Sequence, residues 1–220
     1  MKQWIIICIF FPVSIKICGQ STVTFFRLLP PDCTPDLNTK EKNALLRKGT
    51  YTIPGGDSIE TIQYTIDTTE SRNYLRYEYG FTTGQRGFVV FELRKLLRKN
   101  GEPLLIFSRY GGAPAAYDQH ELRLFSYKSG KLAEINNNLL PKEIDIRDFL
   151  KTGTPDSIKN KIESYVNITY DLYPNVKNAV SMRLFQQVFL NDYENYLVGT
   201  ELLFTWDGNT FSRKIISDLE

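Results

Sequence analysis

The chain is 220 residues long, with 27 lysines and arginines against 25 aspartates and glutamates, one histidine and three cysteines. A formal charge of +2 leaves no concentrated positive face, which excludes nucleic acid and anionic membrane as expected partners. One histidine and so few cysteines also fall short of an all-protein zinc site, and with no cofactor motif present neither a metal nor a cofactor is expected.

The N-terminal stretch MKQWIIICIFFPVSIKICG has a basic head at Lys2, an apolar run from Trp4 to Ile15, and a small residue at Gly19. That is the layout of a secretory signal peptide, and its apolar run is shorter than the roughly 20 residues a spanning helix needs. The expectation is export to the periplasm, the cell surface or the medium, with cleavage after Gly19 and no transmembrane span in the mature chain. A lipid anchor on Cys18 is the alternative. Cleavage would remove Lys2 and Lys16 but no acid, leaving 25 basic residues against 25 acidic. It would also remove Cys8 and Cys18. Cys33 alone cannot form an intrachain disulfide, so stability has to come from a core, and a chain of this size buries about 70% of its unfolded surface.

Residues 38 to 49, NTKEKNALLRKG, read as a short helix. Asn38 and Glu41 have the spacing of a capping box, and Gly49 is a left-handed stop. The narrow apolar stripe places this helix on a sheet. The period then changes to two. Ile62, Tyr64 and Ile66 alternate with polar residues, as do Leu75, Tyr77 and Tyr79, which predicts antiparallel strands with one wet face. GFVVFEL and PLLIFSRY are more continuously apolar and read as inner strands joined by RKNGEP. The basic run LRKLLRKNG, residues 93 to 101, is read as a strand end entering a solvated turn.

The segment RYGGAPAAYDQ carries Tyr110 and Tyr117 on a glycine- and proline-bearing loop, with Tyr127 further on. Loops of this kind present aromatic rings to ligands. Two similar segments follow, ELRLFSYKSGKLAEI (121 to 135) and ELLFTWDGNTFSRKI (201 to 215). Each is a strand ending in an aromatic, Tyr127 or Trp206, then a glycine-bearing turn and a second strand. Both read as β-hairpins with the aromatic packed across the turn. Between them, EIDIRDFLKTGTPDSIKNKIESYV predicts helix over about residues 144 to 164, interrupted at Gly153 and restarted at Pro155. NITYDLY and VSMRLFQQV loosely repeat YLRYEYG and FVVFELRKL. The chain therefore reads as two imperfect αβ units, residues 20–140 and 141–220, separate or continuous as one domain.

Reactive chemistry is sparse. His120 reads as a strand-start residue beside a polar loop. No serine sits in a G-x-S-x-G elbow, and although KTGT and SRN mimic two β-lactamase elements, no serine has a lysine three residues on. Glu78, Asp118, Glu121, Asp171 and Glu201 are the acids open to a carboxylate mechanism on saccharides. Asn167 opens an N-x-T glycosylation pattern within a strand-like run.

The stretches FFRLLPPDCTPDLNTKEKNALLRK, GAPAAYD and LRLFSYKSGKLAEI resemble a family of exported bacterial domains of unknown function common in Bacteroidetes, over about residues 25 to 135. The resemblance implies an antiparallel sheet and an envelope or secreted location, and it transfers no catalytic residue. The expected fold is α+β, mostly antiparallel sheet with a few short helices. The expected role is a non-catalytic envelope module binding a protein, peptide or glycan through Tyr110, Tyr117, Tyr127 and Trp206. A saccharide hydrolase and a lipid-anchored structural component are the alternatives.

Overall fold

The computed structural model describes residues 20–35, 37–54, 61–69, 72–81, 87–113, 116–136, 138–141, 145–185 and 192–216; the segment read as a signal peptide, with Cys8 and Cys18, lies outside them. Seven strands, β1 (Thr50–Pro54), β2 (Thr61–Asp67), β3 (Tyr74–Phe81), β4 (Phe88–Leu97), β5 (Pro103–Ala113), β6 (Ala116–Lys128) and β7 (Lys131–Ile135), form one antiparallel meander in chain order. Four more, β8 (Asn167–Asp171), β9 (Ala179–Phe185), β10 (Glu201–Trp206) and β11 (Phe211–Ile216), form a second meander. Three short helices, α1 (Thr22–Leu28), α2 (Thr39–Lys48) and α3 (Asp156–Tyr165), complete an α+β fold.

Strand alternation explains the layering. On one face of the first sheet Tyr64, Leu75, Tyr77, Phe91, Leu93, Leu105, Phe107 and Phe125 meet Phe25, Phe26, Leu29, Cys33, Leu37 and Leu45 from the α1–α2 region. On the other face Tyr74, Leu96, Leu104, Ile106 and Leu124 meet Tyr170, Leu172, Val180, Met182, Leu202, Phe204 and Trp206 of the second sheet and its flank. The order is thus helices, seven-stranded sheet, four-stranded sheet. The inner strands β4 and β5 are rich in apolar residues because most of their length is covered on both faces.

Helix α2 follows its sequence signals. The Asn38 side chain accepts from the backbone N–H of Lys40 and Glu41, Glu41 reaches back to the Asn38 N–H at 2.6 Å, and Gly49 closes the helix at φ 77°. Helix α1 has no such signals. Its Thr-Val-Thr-Phe-Phe run favours strand by propensity, yet it is helical with Phe25 and Phe26 fully buried. Tertiary packing decides it. Tyr77 and Tyr64 donate their hydroxyls to Cys33 O (2.6 Å) and Pro35 O (3.1 Å), which ties the α1–α2 connection to the sheet. Between residues 145 and 165 a short 3-10 turn (Ile146–Phe149) precedes α3, and the left-handed Gly153 falls in the break.

Both similar segments are hairpins. Lys128 pairs with Lys131 across a two-residue turn, where Ser129 (φ 49°) and Gly130 (φ 83°) are both left-handed. Trp206 pairs with Phe211 across four residues, where only Gly208 has positive φ and the Asp207 carboxylate accepts from the N–H of Asn209 and Thr210. The basic run at 93 to 101 is less solvated than its composition suggests. Arg94 and Lys95 lie within β4 and are buried on opposite faces, with Arg94 over the Tyr173 ring and Lys95 donating to Gln20 O. Only the turn beyond Leu97 is open.

Candidate functional site

Strand β8 lies across the first sheet from β6 to β3, and four contacts trace its path. The Asn167 amide meets the C=O and N–H of Tyr117 at 3.2 and 3.3 Å. The Tyr170 N–H donates to Gln119 Oε1 at 3.0 Å, and the Leu172 N–H donates to Glu92 Oε2 at 3.3 Å. Tyr173 stacks on Tyr74 with ring centroids 4.7 Å apart. The Tyr170 and Leu172 N–H groups along this edge of the second sheet are therefore taken by side chains from the face of the first. Gln119 is fixed in turn, its Nε2 donating toward Ser108 Oγ, Arg109 O and Glu121 O at the irregularity where Arg109 and Tyr110 pair with Glu121 and Gln119. His120 is the extra residue there, exposed, with Nε2 3.1 Å from Gly111 O.

The crossing strand divides the sheet face. One side is sealed core. On the other, β2 to β6 present Gln63, Thr65, Arg76, Glu78, Phe88, Val90, Tyr110 and Tyr117 around an open groove of about 600 Å³. Tyr110 and Tyr117 are both half-buried, with ring centroids 6.0 Å apart, and Phe88 meets Tyr117 edge-on at 5.4 Å. Arg76 and Glu78 form a half-exposed ion pair at 2.8 Å. Beside Tyr110 the chain comes close to β4: a Cβ on Gly111 would lie 2.4 Å from Phe88 O, so only glycine fits. Burial raises both phenol pKa values, so these rings are neutral.

Along the crossing strand the groove continues into a second cleft of about 410 Å³, which shares Arg76 and Tyr110 and adds Tyr74, Glu92, Asp171, Tyr173 and Arg183. Glu92 is buried, and Tyr74 donates to its Oε1 at 2.5 Å. Burial pushes its carboxyl up to about 7, with the Asp171 carboxylate adding to the rise and the Tyr74 and Leu172 hydrogen bonds opposing it. With Oε1 on the Tyr74 hydroxyl of the same sheet and Oε2 on the Leu172 N–H just beyond β8, Glu92 is a structural acid.

The structure brings Tyr110 and Tyr117 together and places the other two expected aromatics elsewhere. Tyr127 faces the helical layer, edge-on to Phe25 at 5.2 Å. Trp206 is 5% exposed between the sheets, 4.7 Å from Phe211, with Nε1 donating to Leu97 O at 2.8 Å. Neither reaches the groove. The acids that sequence reading left open are dispersed. Glu78 pairs with Arg76, Glu121 with Arg109, and Asp171 and Glu201 with Arg183, while Asp118 is exposed. Among the described residues no three His, Cys, Asp or Glu side chains are grouped to hold a metal ion. No helix among them is long and apolar enough to cross a membrane. Glu92 and Arg76 escaped sequence reading. Both occupy the polar position of an alternating strand, and the signal that could have found Glu92 is a lone acid inside an otherwise apolar inner strand.

No family model matches the chain, and no curated protein matches it. Among solved structures, a domain of an uncharacterized protein from Porphyromonas gingivalis W83, a Bacteroidetes organism, is similar with a TM-score of 0.58 and 15% identity over 89% of this chain and 98% of that one. At that identity the likeness is one of fold.

Proposed function

We propose that the protein is an exported, non-catalytic binding module of the cell envelope that takes its ligand on the uncovered half of the seven-stranded sheet. One observation carries this reading: the second sheet stops at β8 and leaves beside it a groove of about 600 Å³ with two half-buried tyrosines. That volume lies within the ~300–1,000 Å³ of small-molecule sites. Strand residues hold the groove walls, so the site is preorganised and little ordering entropy opposes binding. The acids nearby are engaged in ion pairs or in holding β8, which favours recognition over catalysis. Export rests on the leader-like residues 1 to 19.

The test is an amide-shift titration with a mixed panel of saccharides and short peptides. Shifts should cluster at Gln63, Arg76, Glu78, Val90, Tyr110 and Tyr117. Ligand-induced shifts confined to the helical face or to β11 would refute the assignment.

A further inference from the structure

We infer that the groove and its adjoining cleft form a binding trough for a neutral oligosaccharide, with Tyr110 at the junction of two sugar subsites; this rests on the groove being the ligand site.

The charge pattern narrows the ligand first. Arg76 is paired with Glu78 at 2.8 Å, and Arg183 is bracketed by Asp171 at 3.4 Å and Glu201 at 3.2 Å. Each guanidinium in the trough is matched by at least one carboxylate, so no surplus positive charge attracts a polyanion. The apolar part is narrow, consisting of Phe88, Val90 and the two tyrosine rings on one flank. An apolar peptide anchor would need a deeper desolvated pocket. The opposite flank, Gln63 and Thr65, is neutral and polar.

A ligand suited to this trough has an apolar face, a rim of donors and acceptors, and no net charge. A pyranose meets all three conditions. Its axial C–H face lies against an aromatic ring, and its hydroxyls both donate and accept. The Arg76 guanidinium offers only donors and the Glu78 carboxylate only acceptors. An exposed pair of opposite character can therefore serve one hydroxyl as acceptor and its neighbour as donor without gaining or losing charge. The cleft repeats the polar half of the arrangement: Asp171 and Arg183 form a second ion pair, while the Tyr173 ring is taken up by Tyr74 and Arg94. Arg76 and Tyr110 line both spaces. Two ion pairs on either side of the shared Tyr110 ring fit consecutive units of a chain better than one monosaccharide.

The full chain would be titrated by calorimetry and amide shifts with maltohexaose, cellohexaose, laminarihexaose and mannopentaose. An oligogalacturonate and an uncharged octapeptide are the comparators. At least one neutral oligosaccharide should bind in the range of about 1 mM or tighter, and more tightly than its own monosaccharide. Tyr110→Ala should weaken it by about tenfold or more, and Tyr110→Phe, which keeps the ring, should retain most of the affinity. Should Tyr110→Ala fail to fold, Arg76→Gln, at an exposed position, should still lower affinity severalfold. Binding of the octapeptide or the oligogalacturonate in the groove, with no neutral oligosaccharide bound, overturns the saccharide inference and leaves the groove as a binding site. Neutral oligosaccharide binding that Tyr110→Ala and Arg76→Gln leave unchanged overturns the groove itself. Silence of all four neutral probes at about 5 mM overturns the inference.

Discussion

Glu92 is the residue where packing and protonation meet. Its carboxyl takes hydrogen bonds from Tyr74 on its own sheet and from the Leu172 N–H beside β8, while burial raises its pKa to about 7. The folded chain therefore holds this proton more tightly than the unfolded one. The stability so gained is complete below about pH 4.5 and is lost as pH rises through about 7, at about 1.4 kcal/mol for each pH unit between the two. Thermal unfolding between about pH 5 and 8 should show a melting temperature that falls with pH more steeply than in Glu92→Gln. Gln keeps one acceptor and one donor end as the protonated carboxyl does, so the two proteins should differ little in stability at low pH. Equal slopes for the two proteins would remove Glu92 as the titrating group. Cys33 is inert for a related reason, since burial pushes its thiol up to about 12.

The elements differ in how far their own residues specify them. Helix α2 is written locally: Asn38, Glu41 and Gly49 each do what their spacing predicts. Asn38→Ala should lower unfolding free energy by about 1 kcal/mol in denaturant titration, and a change below about 0.3 would mean the cap is not used. The hairpins at Ser129–Gly130 and Asp207–Thr210 were legible for the same reason, because a turn states its φ requirement in its own residues. Helix α1 was not legible, since Phe25 and Phe26 are held by Tyr127 and Tyr77 far along the chain. The groove was half legible. Tyr110 and Tyr117 announce themselves in one segment, which reads as a loop but forms the paired ends of β5 and β6. Their neighbours Arg76 and Glu78 read as the wet side of a strand, and nothing local says that β8 will wall off that side. Tyr127 and Trp206 lie away from the groove, and in sequence a hairpin aromatic looks the same whether it faces a ligand or a core.

At the scale of the molecule, the two meanders use the first sheet as a shared wall, with Leu104, Ile106 and Leu124 packed against Val180, Met182 and Phe204. A sheet covered on both faces by partners from different parts of the chain should unfold with them. Calorimetry is expected to give one transition whose calorimetric and van't Hoff enthalpies agree; two separated transitions would instead make residues 20–140 and 141–220 independent units. The edge of β8 has a consequence for biogenesis. An unsatisfied strand edge recruits other chains, and the side chains that quench this one, Glu92 and Gln119, precede it in the polypeptide. Because chains emerge N-terminus first, the quenching groups are made before the hazard. Residues 141–220 produced alone should therefore self-associate in sedimentation experiments, and the whole chain, with Glu92 and Gln119 in place, should not.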